Sequence, residues 1–329
     1  MSNKIDFVIM WVDGNDPEWQ KEKAKYSTNQ GDQRNIRFRD WDNLQYWFRG
    51  VEKYANWVNK IHFVTWGHVP SWLNTEHPKI NIVNHKEIIN NEYLPLFNSQ
   101  AIEMNLHKIP GLTEKFVYFN DDMFIIKKTK KEDFFKNGLP CDNATPNPTP
   151  SNSKLKIGAV ISNNMGIINT HFNKREQILK NISKWYNPKY GKALIAPICM
   201  LPWRNFASFA TAHIPHSYLK STFDEVWEKE KEILEHTSMT RFRSTDNVNQ
   251  WLMRYWQLAS GKFYPRDPQI GKNFMLKSKN RDVVKAIKKQ KYKMICLNDT
   301  SDISNFNEVK NSIIKSFNSI LSKKSKFEL

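Results

Sequence analysis

The 329-residue chain carries 50 Lys and Arg against 33 Asp and Glu, a formal net charge of +17 that implies an anionic partner: nucleic acid, a nucleotide, a phosphorylated glycan or an acidic membrane surface. Its 12 Trp, 20 Phe and 11 Tyr exclude disorder over most of its length, which suits one large domain or two intimate ones. Three scattered cysteines (Cys141, Cys199, Cys296) without a Cys-x-x-Cys pair support neither a disulfide framework nor a zinc site.

The first residues show no signal-peptide core and no run approaches a membrane span, so a cytoplasmic protein is expected. A largely apolar run over 5–12 predicts a buried strand ending in Asp13-Gly-Asn-Asp16. Asp42 is placed to cap a helix whose Leu44, Trp47, Phe48, Val51 and Tyr54 share one face. Strands follow at 61–65 and near 80–83, then a helix over about 99–108. The run 116–119 is apolar without alternation, the pattern of a strand covered on both faces, and it meets Asn120-Asp121-Asp122. Residues 140–154, with four prolines among Asn, Ser and Thr, read as a flexible loop between a part spanning 1–139 and a part spanning 155–306. Thr222-Phe-Asp-Glu225 predicts a capping box opening a charged helix. Thr245 is placed to cap a second helix, carrying Val248, Trp251, Leu252, Tyr255 and Trp256 up to Gly261. A strand over 292–297 runs into Asn298-Asp299. The segment 307–329 predicts a basic amphipathic helix, with Val309, Ile313, Phe317, Ile320 and Leu321 on one face and Lys310, Lys315, Lys323, Lys324 and Lys326 around it. Such a helix either lies on an anionic membrane or packs its stripe on the rest of the protein.

Strands separated by helical patterns predict an α/β fold, a mostly parallel sheet with helices on both faces and an additional helical part. Right-handed crossovers keep its strand ends on one rim, where open α/β sheets bind ligands. Three strands then end in acid or amide clusters: Asp13/Asn15/Asp16, Asn120/Asp121/Asp122 and Asn298/Asp299. Any one alone is an ordinary turn; three on one rim point to a site. Their oxygens suit a hard cation, Mg²⁺ or Mn²⁺, bridging substrate phosphates. Neither a P-loop nor a Gly-x-Gly-x-x-Gly turn is present, against a P-loop NTPase and a dinucleotide oxidoreductase. His213 and His216 flank a proline in Ala212-His-Ile-Pro-His216, and Arg243 ends Arg-Phe-Arg. They are either ordinary loop residues or a general base beside a phosphate-binding guanidinium.

Ile5-Asp-Phe-Val-Ile-Met-Trp-Val-Asp-Gly-Asn-Asp16 resembles the first conserved region of the Stealth hexose-1-phosphate transferases. Arg39-Asp-Trp-Asp-Asn-Leu-Gln-Tyr-Trp-Phe-Arg49, Leu96-Phe-Asn-Ser-Gln-Ala-Ile-Glu103 and Phe119-Asn-Asp-Asp122 resemble the second. Ala212-His-Ile-Pro-His216 with Arg243-Ser-Thr-Asp-Asn247 is similar to the third, and Cys296-Leu-Asn-Asp299 to the fourth. That family also includes the catalytic core of the animal lysosomal-enzyme N-acetylglucosamine-1-phosphotransferase. The resemblance implies a Rossmann-like or GT-A-like nucleotide-sugar-transferase fold. It implies transfer of a sugar-1-phosphate from a UDP-sugar to a glycan or lipid-linked oligosaccharide, with release of UMP, in capsule or cell-wall polysaccharide synthesis. It places Asp13, Asn15, Asp16, Arg39 and Thr65 at the nucleotide, within 1–139, and the acceptor at the helical part of 155–306. Asp121, Asp122, Asn298 and Asp299 would hold metal and diphosphate, with His216, Arg243 and Asp122, and His213 as the second imidazole, carrying the chemistry. A metal-dependent glycosyltransferase releasing UDP would use much the same residues. A nucleic-acid-binding protein is the third reading; dispersed basic residues and clustered carboxylates speak against it.

Overall fold

The computed structural model describes residues 3–27, 39–148 and 156–329. Eleven strands occur among them: β1 Asp6–Met10, β2 Ile61–Thr65, β3 Ile80–Asn84, β4 Lys115–Asn120, β5 Met123–Ile125, β6 Phe135–Lys136, β7 Leu139–Asp142, β8 His216–Leu219, β9 Tyr264–Pro265, β10 Gly271–Met275 and β11 Met294–Asn298. The main sheet has the order β3-β2-β1-β4-β8. Its first four strands are parallel and β8 is antiparallel to β4. The carboxyl ends of β1, β2, β3 and β4 therefore share one rim, as the alternation of strands and helices predicts.

The strands lack alternation because both faces are covered. Phe7, Ile9, Val117 and Phe119 meet Trp47, Phe48 and Val51 of the helix Leu44–Tyr54 on one side. Val8, Phe116 and Tyr118 face the other core, with Leu252, Tyr255 and Trp256 of the helix Trp251–Ala259. Asp6 interrupts the first run yet is fully buried. It accepts hydrogen bonds from Asn59 Nδ2 (2.6 Å), Lys60 N (3.1 Å) and Thr113 N (2.9 Å), and His62 Nε2 lies 3.2 Å away. Burial opposes its ionisation, but His62, Asn59 and Thr113 outweigh that and hold its carboxyl below the usual range.

The last acidic pair arrives by a different route from the one expected. β11 is not in the main sheet; it lies between β10 and β5 in a three-stranded sheet. β4 ends at Asn120, the chain turns through Asp121-Asp122, and β5 pairs antiparallel with β11, so Asn298 is carried to the turn from outside. Leu297 N donates to Asp122 O at 2.9 Å and closes the junction. The helix Leu44–Tyr54 sits so close over β5 that a Cβ on Gly50 would stand 2.5 Å from Ile125 O.

Other expectations are corrected. Pro140 is not in a loop but in β7, and Asn143, Ala144 and Thr145 beyond it are buried. Asp142 there is forked by Arg254 of the helix Trp251–Ala259, at 2.6 and 2.9 Å, and that guanidinium holds its carboxyl low against the burial. Of the expected flexible loop, 149–155 fall outside the described residues. The helix expected over 99–108 stops at Glu103, because Asn105 Nδ2 donates to Ala101 O (2.9 Å) and competes with the backbone. Thr222 caps nothing: β8 runs straight into a helix from Lys220 to Lys229, and Thr222 is buried inside it. Thr245 likewise lies well before the helix that begins at Trp251. Asp42 adopts φ +45° and pairs with Lys310 instead of capping. The C-terminal helix Phe306–Asn318 buries Val309, Ile313 and Phe317, and Leu321 beyond it is buried too. Of the two readings of this segment, packing on the rest of the protein is the one seen: the stripe is core. No described helix is long and apolar enough to cross a membrane.

Candidate active site

His213 precedes β8 and stands between the two sheets at the acidic turn. Asn120 Nδ2 lies 2.8 Å from its Nε2, Asn298 Oδ1 lies 3.3 Å from its Nδ1, and Cys296 Sγ is 3.8 Å from Nδ1. Asn120 is oriented by Tyr118, whose hydroxyl donates to Asn120 Oδ1 (2.6 Å). An amide so oriented donates to the imidazole, leaving Nε2 the lone-pair nitrogen and placing the proton on Nδ1. Tyr118 O–H also reaches Glu103 Oε1 at 3.1 Å. Glu103 is 5% exposed, and burial raises its pKa to about 7 against the opposing field of Arg243. A hydrogen-bonded chain thus runs from a buried carboxyl to the imidazole at the rim.

Ligand atoms of Asp122, His213 and Cys296 all lie within 4.8 Å of one another. Asp122 Oδ1 is buried without a hydrogen-bond partner, a position a cation would satisfy. Burial first, and then the Asp122 carboxylate, push the Cys296 thiol well up, so sulfur is a poor ligand here. The hard donor that this cluster offers a cation is therefore the Asp122 carboxylate. Asp121 opens to solvent beside Asp122. The protein crowded around it, and then the Asp122 charge, raise its pKa, while the water it faces screens that field.

Several expected residues are engaged elsewhere. Asp299 is forked by Arg39, Nε to Oδ2 at 2.8 Å and Nη2 to Oδ1 at 2.5 Å, and Trp41 Nε1 adds a third bond at 3.1 Å. The expected metal ligand and the expected nucleotide contact thus hold each other. Asp16 caps the helix Pro17–Tyr26 through Trp19 N (2.7 Å) and lies 3.5 Å from His68 Nδ1. Asp13 Oδ1 accepts from Asn15 N (2.8 Å), while Asp13 N donates to His68 Nε2 (2.8 Å). Thr65 is fully buried and donates to His68 O (2.6 Å), shaping the loop after β2. Arg243 is half-buried, with Nη2 2.5 Å from Ser99 Oγ. His216 is not at the rim. It is 3% exposed inside β8, both ring nitrogens lack hydrogen-bond partners, and burial followed by the Arg254 charge holds its pKa well below 6.5. A basic recess of about 440 Å³, lined by Lys136, Lys189, Tyr264, Arg266 and Lys293, lies by the other end of β10 and β11 and takes no part in this cluster.

Sequence reasoning passed over Glu103, His68 and Cys296. Glu103 had a signal, a carboxylate in an otherwise buried helical stretch. Cys296 was set aside because spacing rules read only ligands near in sequence, and His68 carried no pattern at all.

The chain matches the models of Stealth protein conserved region 1 over residues 3–31 and conserved region 2 over residues 37–142. It is 46% identical to the capsular polysaccharide phosphotransferase WcwK of Streptococcus pneumoniae, over 99% of this chain and 98% of that protein. It is 42% identical to the receptor polysaccharide phosphotransferase WefC of Streptococcus oralis, over 99% and 100%. An exopolysaccharide phosphotransferase of Lactiplantibacillus plantarum is 39% identical, over 98% and 96%. Among solved structures, the galactosyltransferase LgtC with donor and acceptor sugar analogs is similar with a TM-score of 0.41 at 10% identity, covering 98% of both chains. On the strength of the full-length relatives, the chain belongs to the Stealth family of polysaccharide phosphotransferases.

Proposed function

We propose that the protein transfers a sugar-1-phosphate from a UDP-hexose or UDP-N-acetylhexosamine to a hydroxyl of a glycan or lipid-linked oligosaccharide, on the cytoplasmic side of capsule or cell-wall polysaccharide synthesis. The acceptor oxygen attacks the sugar-linked phosphorus, the bond to UMP breaks, and a phosphodiester forms. The observation that carries this reading is the convergence of His213 on Asp122 at the strand-end rim. It sets a base and a charge-bearing carboxylate around one reacting centre.

His213 is the base in this reading, in preference to His216, whose ring is buried. Its Nε2 takes the hydroxyl proton when the acceptor replaces the Asn120 amide, and Asn298 Oδ1 beside Nδ1 steadies the resulting imidazolium. Arg243 supplies a forked guanidinium for phosphate oxygens. Asp13, Asn15 and Arg39 flank the uridine side. Asp121, Asp122 and Asn298 would hold Mg²⁺ or Mn²⁺, which neutralises the diphosphate.

Phosphoryl rather than glycosyl transfer is favoured because relatives 42–46% identical over the whole chain are named phosphotransferases. Incubation with Mg²⁺, a panel of UDP-sugars and capsule fragments tests it through the nucleotide released. UMP with a phosphodiester product is expected. UDP with a simple glycoside would make the protein a glycosyltransferase.

A further inference from the structure

Large apolar side chains left exposed are unevenly distributed along the chain. Of eleven such residues among those described, six fall between 179 and 203: Leu179, Ile182, Ile195, Ile198, Leu201 and Trp203, from 50% to 72% exposed. The stretch 193–203, Ala-Leu-Ile-Ala-Pro-Ile-Cys-Met-Leu-Pro-Trp, contains no charge and is closed by Lys192 and Arg204. Over 177–204 there are five basic residues (Lys180, Lys184, Lys189, Lys192, Arg204) and no acidic one.

Packing imposes this exposure. Lys174, 5% exposed, donates from Nζ to Met200 O (2.5 Å) and Trp203 O (2.6 Å), pulling the backbone of the turn inward. Asn169 exchanges two hydrogen bonds with Phe206, Nδ2 to O at 3.0 Å and N to Oδ1 at 2.8 Å. Phe206 in turn stacks on the buried Trp185, centroids 5.5 Å apart. With its inner side fixed, the stretch has its apolar side chains turned to solvent.

We propose that this surface docks the enzyme on an anionic lipid membrane. Ile195, Ile198, Leu201 and Trp203 enter the headgroup boundary, and Lys192 and Arg204 stay at the anionic head groups. Exposed apolar clusters of this kind mark contact surfaces, and Trp with flanking Lys and Arg is the composition that suits a lipid interface. The charge selects the occupant. A second copy of the chain would set Lys192 and Arg204 against like charges, whereas an acidic bilayer neutralises them. Membrane contact, one of the two readings of the C-terminal helix, is thereby assigned to a different element. Docking would bring the enzyme to the surface that carries lipid-linked acceptors, a consequence that rests on the proposed function, whereas the docking itself does not.

Full-length protein is sedimented with vesicles of phosphatidylcholine alone or mixed with phosphatidylglycerol, at low and high salt. Phosphatidylglycerol vesicles are expected to carry it down about tenfold better, an advantage that salt removes. Ile198→Asp with Leu201→Asp, and separately Trp203→Ala, lower partition by about tenfold or more. Because these side chains are already exposed, the thermal midpoint and turnover on a water-soluble acceptor stay as in wild type. The proposal is overturned if wild type ignores phosphatidylglycerol at low salt or if the Asp variants still bind. It is also overturned if sedimentation velocity shows a self-association that these substitutions abolish. Partition needs no turnover, so failure of the donor assignment leaves this test intact.

Discussion

His213 and His216 lie three residues apart in one motif, and the start of β8 separates them. His216 pairs in register with Tyr118 and goes inside, where burial and Arg254 keep it neutral; His213, before the strand, stays at the rim. His213→Ala should lower the rate of UMP formation about 10²–10⁴-fold, the usual contribution of a general base, with little change in donor KM. His216→Asn should stay within about tenfold of wild type, since its ring meets no reactant. The motif could not distinguish the two, because the difference lies in where a strand begins. Glu103 gives a pH signature. Its folded pKa of about 7 stands above the ordinary 4.5, so the native state binds the proton more tightly. Below about pH 4.5 both states are protonated and burial carries no ionic penalty; the penalty grows as pH rises and is complete above about 7. Glu103→Gln should therefore match wild type near pH 4 and exceed it at pH 8 by up to about 3 kcal/mol in urea unfolding.

At the scale of elements, the long apolar strands were readable because a doubly covered strand leaves a continuous apolar run. The capping predictions failed for a physical reason. β8 feeds its helix directly, so that helix start is set by the strand end and not by Thr222. β5 has three residues and was invisible to periodicity, yet it carries the junction with β11. Gly50→Ala tests that junction: a methyl 2.5 Å from Ile125 O must push the helix Leu44–Tyr54 off β5, and about 1–3 kcal/mol of stability should be lost. Removing residues from 307 onward should unfold the protein rather than free it from lipid. Val309, Ile313 and Phe317 together contribute about 5–9 kcal/mol of burial, comparable with the whole stability of a domain. A folded, active truncation would show that the helix is dispensable.

For the molecule as a whole, the acidic rim was legible and its assembly was not. Two of the three clusters follow parallel strands of one sheet; the third arrives on a separate sheet, and its Asp299 is taken by Arg39. The +17 charge pointed to an anionic partner without saying where, since patches are set by folding. The metal assignment makes a prediction for the intact enzyme. EDTA should abolish transfer and added Mg²⁺ or Mn²⁺ restore it, while Asp122→Asn should cost about 10²-fold or more in rate with unchanged circular dichroism. Full turnover in EDTA would remove the cation from the reaction.

The bond from Leu297 N to Asp122 O has a consequence for synthesis on the ribosome. The strands before Asp122, and then β8 with His213 ahead of it, can assemble at the turn while the chain is still growing, but Cys296 and Asn298 reach it only when β11 has been made. A nascent chain that lacks β11 thus carries its acidic turn and imidazole without the Asn298 amide. The complete cluster therefore exists only once β11 has been made and has paired with β5.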